Sequence, residues 1–333
     1  MMQYAIFARP VVTIYDLPQT TKQSEAGLFS TIGDEGLYGQ ACQVRTAPGG
    51  VTAEGVPLSP EVAEVVTFYG YHGFVRRDAL KFVQEDTLRD YLPQPLVLVG
   101  RATDVLSLPK VAGGADAGAG AGLACSAACP SRPRRPRPTQ ARARVALLDG
   151  RTGYVRDVAL EPVRFEMTAV FSQRRGWPLM TRWPRPGMSP PGSWCRRHCR
   201  RGNDGSEEAF RDAVCAQAKK YLGTEYRWGG KSGRGIDCSG LVSSAYMQCG
   251  VLIYRDARIV EGWPMHQIPF ADKKRGDALY FPGHIALYLG EGRYIHSTGA
   301  SASGGVVINS LDPADPLYRE DLVKSLYAVG SVF

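Results

Sequence analysis

Apolar residues between positions 206 and 223 recur at helical spacing and stop at a glycine. In SEEAFRDAVCAQAKKYLG, Phe210, Val214, Ala218 and Tyr221 form one stripe, Ser206 precedes two acids, and Gly223 follows the last turn. Ser206 is the expected cap, and the acids suit the positive end of the helix dipole. After the glycine-rich stretch YRWGGKSGRGIDCSG (226–240), CSGLVSSAYMQCG predicts a second helix that starts near Cys238, is capped by Asp237 and ends at Gly250. At 100° per residue, Cys238, Leu241, Val242, Ala245 and Cys249 share a stripe, so Cys238 faces inward at the first turn. Cys249 lies about 16 Å further along the axis, too far for a disulfide, and is read as a small core residue. Beyond it GDALYFPG, HIALYLG, RYIHSTG and GVVINSL read as short strands separated by glycine turns. Helices followed by an antiparallel meander predict an α+β domain over 206–333.

Upstream the pattern is that of strands. GFVRRDAL (73–80) and GYVRDVAL (153–160) match at Gly, aromatic, Val, Arg, Ala and Leu, offset by 80 residues. Each follows a β-branched start, PVVTIYDLP (10–18) and PLVLVGRATDVLSLP (95–109). Two copies of a small β-barrel, at 1–90 and 95–163, account for this better than coincidence. Inside the second copy, roughly 114–140, the chain turns Ala/Gly-rich and then Arg/Pro-rich. Such composition buries little apolar surface, so this copy is expected to be interrupted and to lack its middle strands. A second Arg/Pro-rich stretch occupies the linker 164–205. Each segment reads either as a disordered linker or as a locally shifted reading frame.

Composition narrows the class. The chain has 333 residues, room for two or three domains, and carries a net charge of +8. Six arginines in 131–144 and eight in 172–202 hold that charge; without them it is −6. The basicity belongs to two odd segments rather than to a folded face, so no nucleic-acid partner is expected. No run of eighteen apolar residues exists, so no transmembrane segment is expected. The start MMQYAIFARP lacks a basic region followed by an apolar core, which predicts a cytoplasmic protein, with a secreted, wall-associated one as the alternative. Cys125/Cys129 and Cys195/Cys199, the latter with His198 nearby, lie in the odd segments without the spacing of a structural zinc site, so no metal is expected. His72, His198 and His266 stand outside any chemical setting.

A thiol at a helix N-terminus is favoured as thiolate by about 0.3–1 kcal/mol, which is under about one pKa unit. From an ordinary value near ~8.5 that is too little for a thiolate at neutral pH, so an imidazole is required as base and counter-ion. GHIALYLGEGRYIHSTG supplies His284 and His296 on consecutive strands. If Gly290-Glu291-Gly292 is a three-residue loop, Leu289 pairs with Arg293 and His296 sits opposite Ala286, on the face of His284 and diagonal to it. A two-residue loop would put the two on opposite faces. On the same face, His296 orients His284, and His284 takes the Cys238 proton and returns it to a leaving amine.

Taken together, Y-R-W-G-G-(x)7-D-C-S-G and GDALYFPGHIALYLGEGRYIHSTG resemble the nucleophile and base regions of the NlpC-type, papain-like cysteine peptidases. The resemblance covers about 207–333, and the upstream pair is similar to the bacterial SH3-like domains of one subgroup. Those are γ-D-glutamyl-L-diamino acid endopeptidases, which cleave peptidoglycan stem peptides. The resemblance implies Cys238 as nucleophile, His284 as base, His296 as orienter, and Tyr226 with the Cys238 amide as donors to the scissile carbonyl. It implies substrate contacts from Asp237 and Ser239, with Asp237 gripping the free amine of an N-terminal L-Ala. YRDA (254–257) looks like the family's Arg-Asp-Ser segment, which makes Asp256 a neighbour of that pocket, with Ala257 in place of the serine. Trp228 either packs under the glycine turn or stacks on the ligand. Tyr69 and Tyr71 are candidates for a wall contributed by the first barrel. The implied reaction hydrolyses the D-γ-glutamyl to diamino-acid bond through a thioester and needs no cofactor. A related amidase or acyltransferase and a non-catalytic wall-binding protein are the alternatives.

Overall fold

A computed structural model of the chain describes residues 3–18, 31–46, 50–85, 207–249, 251–300 and 304–333, together with short strands between 96 and 162. Two compact units result, Met1–Val163 and Arg164–Phe333. Among the described residues the chain is mostly β, and its α-helices of more than one turn all lie in the second unit.

The first unit opens with seven antiparallel strands: β1 (Gln3–Phe7), β2 (Val11–Tyr15), β3 (Ile32–Leu37), β4 (Ala41–Val44), β5 (Val62–Thr67), β6 (His72–Arg76) and β7 (Leu80–Val83), in the order β3-β2-β6-β5-β4-β1-β7. Period-two alternation in β2 turns Val12 and Ile14 inward to join Phe7, Val65 and Val75 in one core. Seven further strands follow: β8 (Leu96–Val99), β9 (Thr103–Asp104), β10 (Ala119–Gly120), β11 (Ala124–Ser126), β12 (Arg142–Ala146), β13 (Thr152–Arg156) and β14 (Leu160–Pro162). Five of them form a sheet in the order β13-β12-β11-β8-β14, and β9 pairs with β10. That order repeats β6-β5-β4-β1-β7 position by position. The matching segments play the same part in each copy: Leu80 pairs with Phe7 in the first and Leu160 with Val99 in the second.

The expected absence of middle strands is corrected. Ala124–Ser126 lies in the Ala/Gly-rich stretch and pairs with β8, and Arg142 and Arg144 of the first arginine segment lie in β12. Ladder bonds join backbone groups that every non-proline residue carries, so small side chains do not forbid them. Ser206, Gly250, most of 114–140 and the whole of 164–205 lie outside the described residues.

The second unit contains helix α1 (Glu207–Lys219), the hairpin β15 (Lys231–Ser232) and β16 (Gly235–Ile236), helix α2 (Cys238–Gln248), and strands β17 (His266–Ile268), β18 (Ala278–Phe281), β19 (His284–Gly290), β20 (Arg293–Ser297) and β21 (Val306–Ser310). Helix α3 (Glu320–Ser325) and strand β22 (Ala328–Ser331) close the chain. The antiparallel six-stranded sheet runs β17-β22-β18-β19-β20-β21, so the last strand inserts beside the first. Both faces of this sheet are covered. Tyr280, Ile285, Leu287 and Ile295 meet the α1 and α2 stripes, Phe210, Val214, Leu241, Val242 and Ala245 among them. Leu279, Phe281, Tyr288 and Tyr294 face the other way, toward Leu322 and Leu326. Arg211 is buried on α1, where Asp277 at 2.7 Å, Glu207 at 2.8 Å and the Arg275 carbonyl at 2.9 Å answer its guanidinium.

Candidate active site

The glycine-rich approach is a folded object. Gly230 and Gly240 are required by the packing: a Cβ on Gly240 would stand 2.1 Å from the Gly230 carbonyl, and one on Gly230 would stand 2.5 Å from the Gly235 carbonyl. The close approach therefore lets the β15–β16 hairpin lie on the first turn of α2. Asp237 joins the two. Its Oδ1 accepts from the Gly240 amide at 2.5 Å as a helix cap, and its Oδ2 accepts from the Gly229 amide at 2.8 Å. Arg255 completes the lock, giving N–H groups to Asp237 Oδ1 at 3.2 Å and Oδ2 at 3.1 Å, to Ser239 Oγ at 2.7 Å and to the Gly229 carbonyl at 3.1 Å.

Both oxygens of Asp237 are thus committed to the chain itself, and Asp237 and Arg255 are buried. A carboxylate offers about four acceptor directions. Asp237, expected from sequence to grip a substrate amine, here bonds within the turn that carries Cys238. Ser239, bonded to Arg255, belongs to the same lock. Arg255 was missed by the sequence reading, which weighed its neighbour Asp256. The available signal was an arginine separated by one residue from the apolar run Val251-Leu252-Ile253.

Cys238 begins α2 and is 7% exposed. The backbone amides of Ile285 and Ser239 act on its sulfur in favour of the thiolate. Burial pushes its thiol up to about 11, with the Asp237 charge adding to the rise and Arg255 and the two amides opposing it. Tyr226 is half-buried, with its backbone tied to Gly304 and Ile236. Burial first, then the Cys238 and Asp237 charges, raise its hydroxyl well above the ordinary range, so it stays a donor. Ser297 Oγ donates to the Ile236 carbonyl at 2.6 Å and so ties β20 to the end of β16, next to Cys238.

The histidines come together, by a route other than the expected loop. Gly290 pairs with Arg293 across a two-residue turn, Glu291-Gly292, in which both φ angles are positive, 52° and 74°. That is the geometry of a type I′ hairpin turn. A bulge between Tyr288 and Gly290 then absorbs one residue, so that Tyr288 pairs with Tyr294 and Leu287 with Ile295. One step further along, His296 faces Ala286, on the side of His284. His284 Nε2 lies 2.8 Å from His296 Nδ1, and His296 Nε2 lies 2.8 Å from Asn309 Oδ1. His296 is fully buried. Burial lowers His284 to about 3, aided by the charge of His296 and of Arg319. His296 falls to about 4 by burial, against the Asn309 bond. Both imidazoles are neutral at neutral pH.

The remaining candidates make other contacts. Asp256 is half-buried beside Arg258, whose amide donates to the Asp256 carbonyl at 2.7 Å. Trp228 is 47% exposed, and Asp237 and Arg255 hold the glycine turn beside it. In the first unit Tyr71 donates to Asp16 Oδ1 at 2.7 Å, and Tyr69 is buried with its hydroxyl 2.5 Å from Asp34 Oδ2. Among the described residues no cluster of three His, Cys, Asp or Glu side chains gathers as a metal site. No described helix is long and apolar enough to cross a membrane.

Residues 223–322 match the NlpC/P60 family. A dipeptidyl-peptidase 6 of Lysinibacillus sphaericus is 55% identical over 128 residues, 38% of this chain and 46% of that protein. A gamma-D-glutamyl-L-lysine dipeptidyl-peptidase of Bacillus subtilis is 34% identical over 110 residues, 31% of this chain and 36% of that protein. The chain thus spans less than half the length of these curated relatives. The crystal structure of an NlpC/P60 family protein from Bacillus cereus superposes with a TM-score of 0.59, covering 98% of both chains at 17% identity, a likeness of fold.

Proposed function

We propose, from the premise that residues 223–322 of this chain are an NlpC/P60 family domain, that the protein is a cysteine peptidase acting on peptidoglycan stem peptides. The bond cleaved is the one between D-γ-glutamate and the diamino acid. One observation carries the reading: the Ile285 amide is among the groups that favour the Cys238 thiolate, and His284, the residue before Ile285 in β19, is bonded through Nε2 to His296. With Nε2 so occupied, Nδ1 of His284 is the nitrogen left to serve the thiol.

The resting pair is a neutral thiol and a neutral imidazole. As sulfur attacks the γ-carbonyl, the thiol proton passes to His284. The oxyanion is met by the Tyr226 hydroxyl and the Cys238 amide, and each such donor is worth about 10²–10³ in rate. His284 then protonates the amine of the departing diamino acid, which leaves a γ-glutamyl thioester. Water, deprotonated by His284, releases the acid and restores the thiol. Asp256 is the carboxylate this reading keeps for a free N-terminal amine, since Asp237 is held by Arg255. The shared strand order in the first unit supports reading its two copies as SH3-like barrels.

The test is an assay of L-Ala-γ-D-Glu-meso-diaminopimelate and L-Ala-γ-D-Glu-L-Lys, each with a free and an acetylated N-terminus. Release of the free diamino acid is expected, faster from the unblocked peptides. Cys238→Ala should abolish it, by at least about 10³-fold. Turnover that survives this substitution, or cleavage only at another amide, would overturn the reading; the latter outcome marks an amidase.

A further inference from the structure

We propose that Asn309 is a positioning residue that sets the proton pattern of the histidine pair, with the Leu317 carbonyl as its anchor. The kinetic part of this proposal rests on the peptidase reading. The Leu317 carbonyl oxygen can only accept, so the Asn309 atom 2.9 Å from it is the amide nitrogen. The other end of that amide, Oδ1, therefore faces His296 Nε2 at 2.8 Å. An amide oxygen also only accepts, so His296 carries its proton on Nε2. Its Nδ1 is then a lone pair, and His284 Nε2, 2.8 Å away, must be the donor. His284 Nδ1 is left unprotonated, which is the form a general base needs. With the opposite tautomer of His296, its Nε2 lone pair would face the Asn309 oxygen, its Nδ1–H would point at His284 Nε2, and His284 would then carry its proton on Nδ1, so that the base nitrogen would be occupied.

The anchor is itself built. The Leu317 carbonyl also accepts from the Ser310 amide at 2.9 Å, and the Leu317 amide donates to Asp315 Oδ1 at 2.9 Å. Asp315 Oδ2 receives Arg293 Nε from β20 at 3.2 Å. The loop between β21 and α3 is thus a mount whose last point of contact is Asn309. The same mount ends in the Arg319–Asp321 ion pair, whose charges act on both imidazoles.

The experiment compares the full chain with Asn309→Ala and Asn309→Asp. An aspartate keeps the acceptor toward His296 and lacks the donor to Leu317. On L-Ala-γ-D-Glu-L-Lys, Asn309→Ala should lower kcat about 10- to 100-fold, the usual effect of losing a partner that orients a histidine, with KM within about twofold. Asn309→Asp should recover most of that loss. In parallel, nitrogen-15 NMR of labelled histidines reads the tautomers directly, with His284→Ala and His296→Ala giving assignments. The wild type should show Nε2–H forms for both residues, and Asn309→Ala a mixture at His296. Unchanged tautomers, or a kcat within about twofold of wild type in Asn309→Ala, would overturn the proposal. If the wild type cleaves no peptide, the peptidase reading fails. The NMR result then still upholds Asn309 if the tautomer shifts and overturns it if not.

Discussion

Arg255 meets four acceptors, and each belongs to the turn that presents Cys238. Removing one member of a buried ion pair leaves the other charge without an answer and costs about 3–5 kcal/mol. Arg255→Met should therefore lower stability by about that much in urea unfolding, and Arg255→Lys should rescue little, because an ammonium cannot fork across two carboxylate oxygens and a carbonyl. A loss below about 1 kcal/mol would show that the lock is not what holds the turn. The same crowded turn governs the thiol. From sequence, the helix dipole is expected to ease ionisation; the structure adds burial and the Asp237 charge, and those dominate, taking the thiol up to about 11. Iodoacetamide labelling of Cys238 should accordingly climb about tenfold per pH unit from 6 to 9. A plateau below pH 7 would instead reveal a standing thiolate–imidazolium pair.

At the scale of elements, the histidine pairing was legible from sequence although the turn was not. Whether His284 and His296 share a face depends on parity alone, on how many residues between them lie outside the pairing. A three-residue loop and a two-residue turn with a one-residue bulge give the same count, so the face was right and the device wrong. The turn type is set by positive φ at Glu291, which a glutamate pattern does not advertise. Glu291→Asn should stabilise the unit by up to about 1 kcal/mol with unchanged turnover, since asparagine accepts that conformation more readily. Gly292→Ala should destabilise it, and thermal unfolding of the two variants checks the pair of signs. The helix stripes were legible for the same reason as the histidine face: periodicity fixes which side is buried. Strand β22 was not, because its place between β17 and β18 depends on contacts about fifty to sixty residues distant, which no local pattern encodes.

At the scale of the whole molecule, composition misled where backbone pairing decides, as in the Ala/Gly stretch that supplies β11. It also says nothing of how the fold responds to pH, which the histidine pair does. Both imidazoles are depressed in the folded chain, to about 3 and about 4, chiefly by burial. Unfolded, each returns to about 6.5 and binds a proton more readily. Below that value the unfolded chain therefore takes up protons that the folded one refuses, so stability falls with falling pH. The contribution of the pair is fully present above about pH 6.5 and is lost as pH descends through the folded values. Urea unfolding at pH 7.5, 6.0 and 4.5 should show this decline. His296→Asn, which keeps a polar group in the site without a titrating ring, should flatten it relative to wild type, because carboxylates elsewhere contribute equally to both chains. Parallel slopes for the two would mean that the buried pair is not what couples this fold to acid.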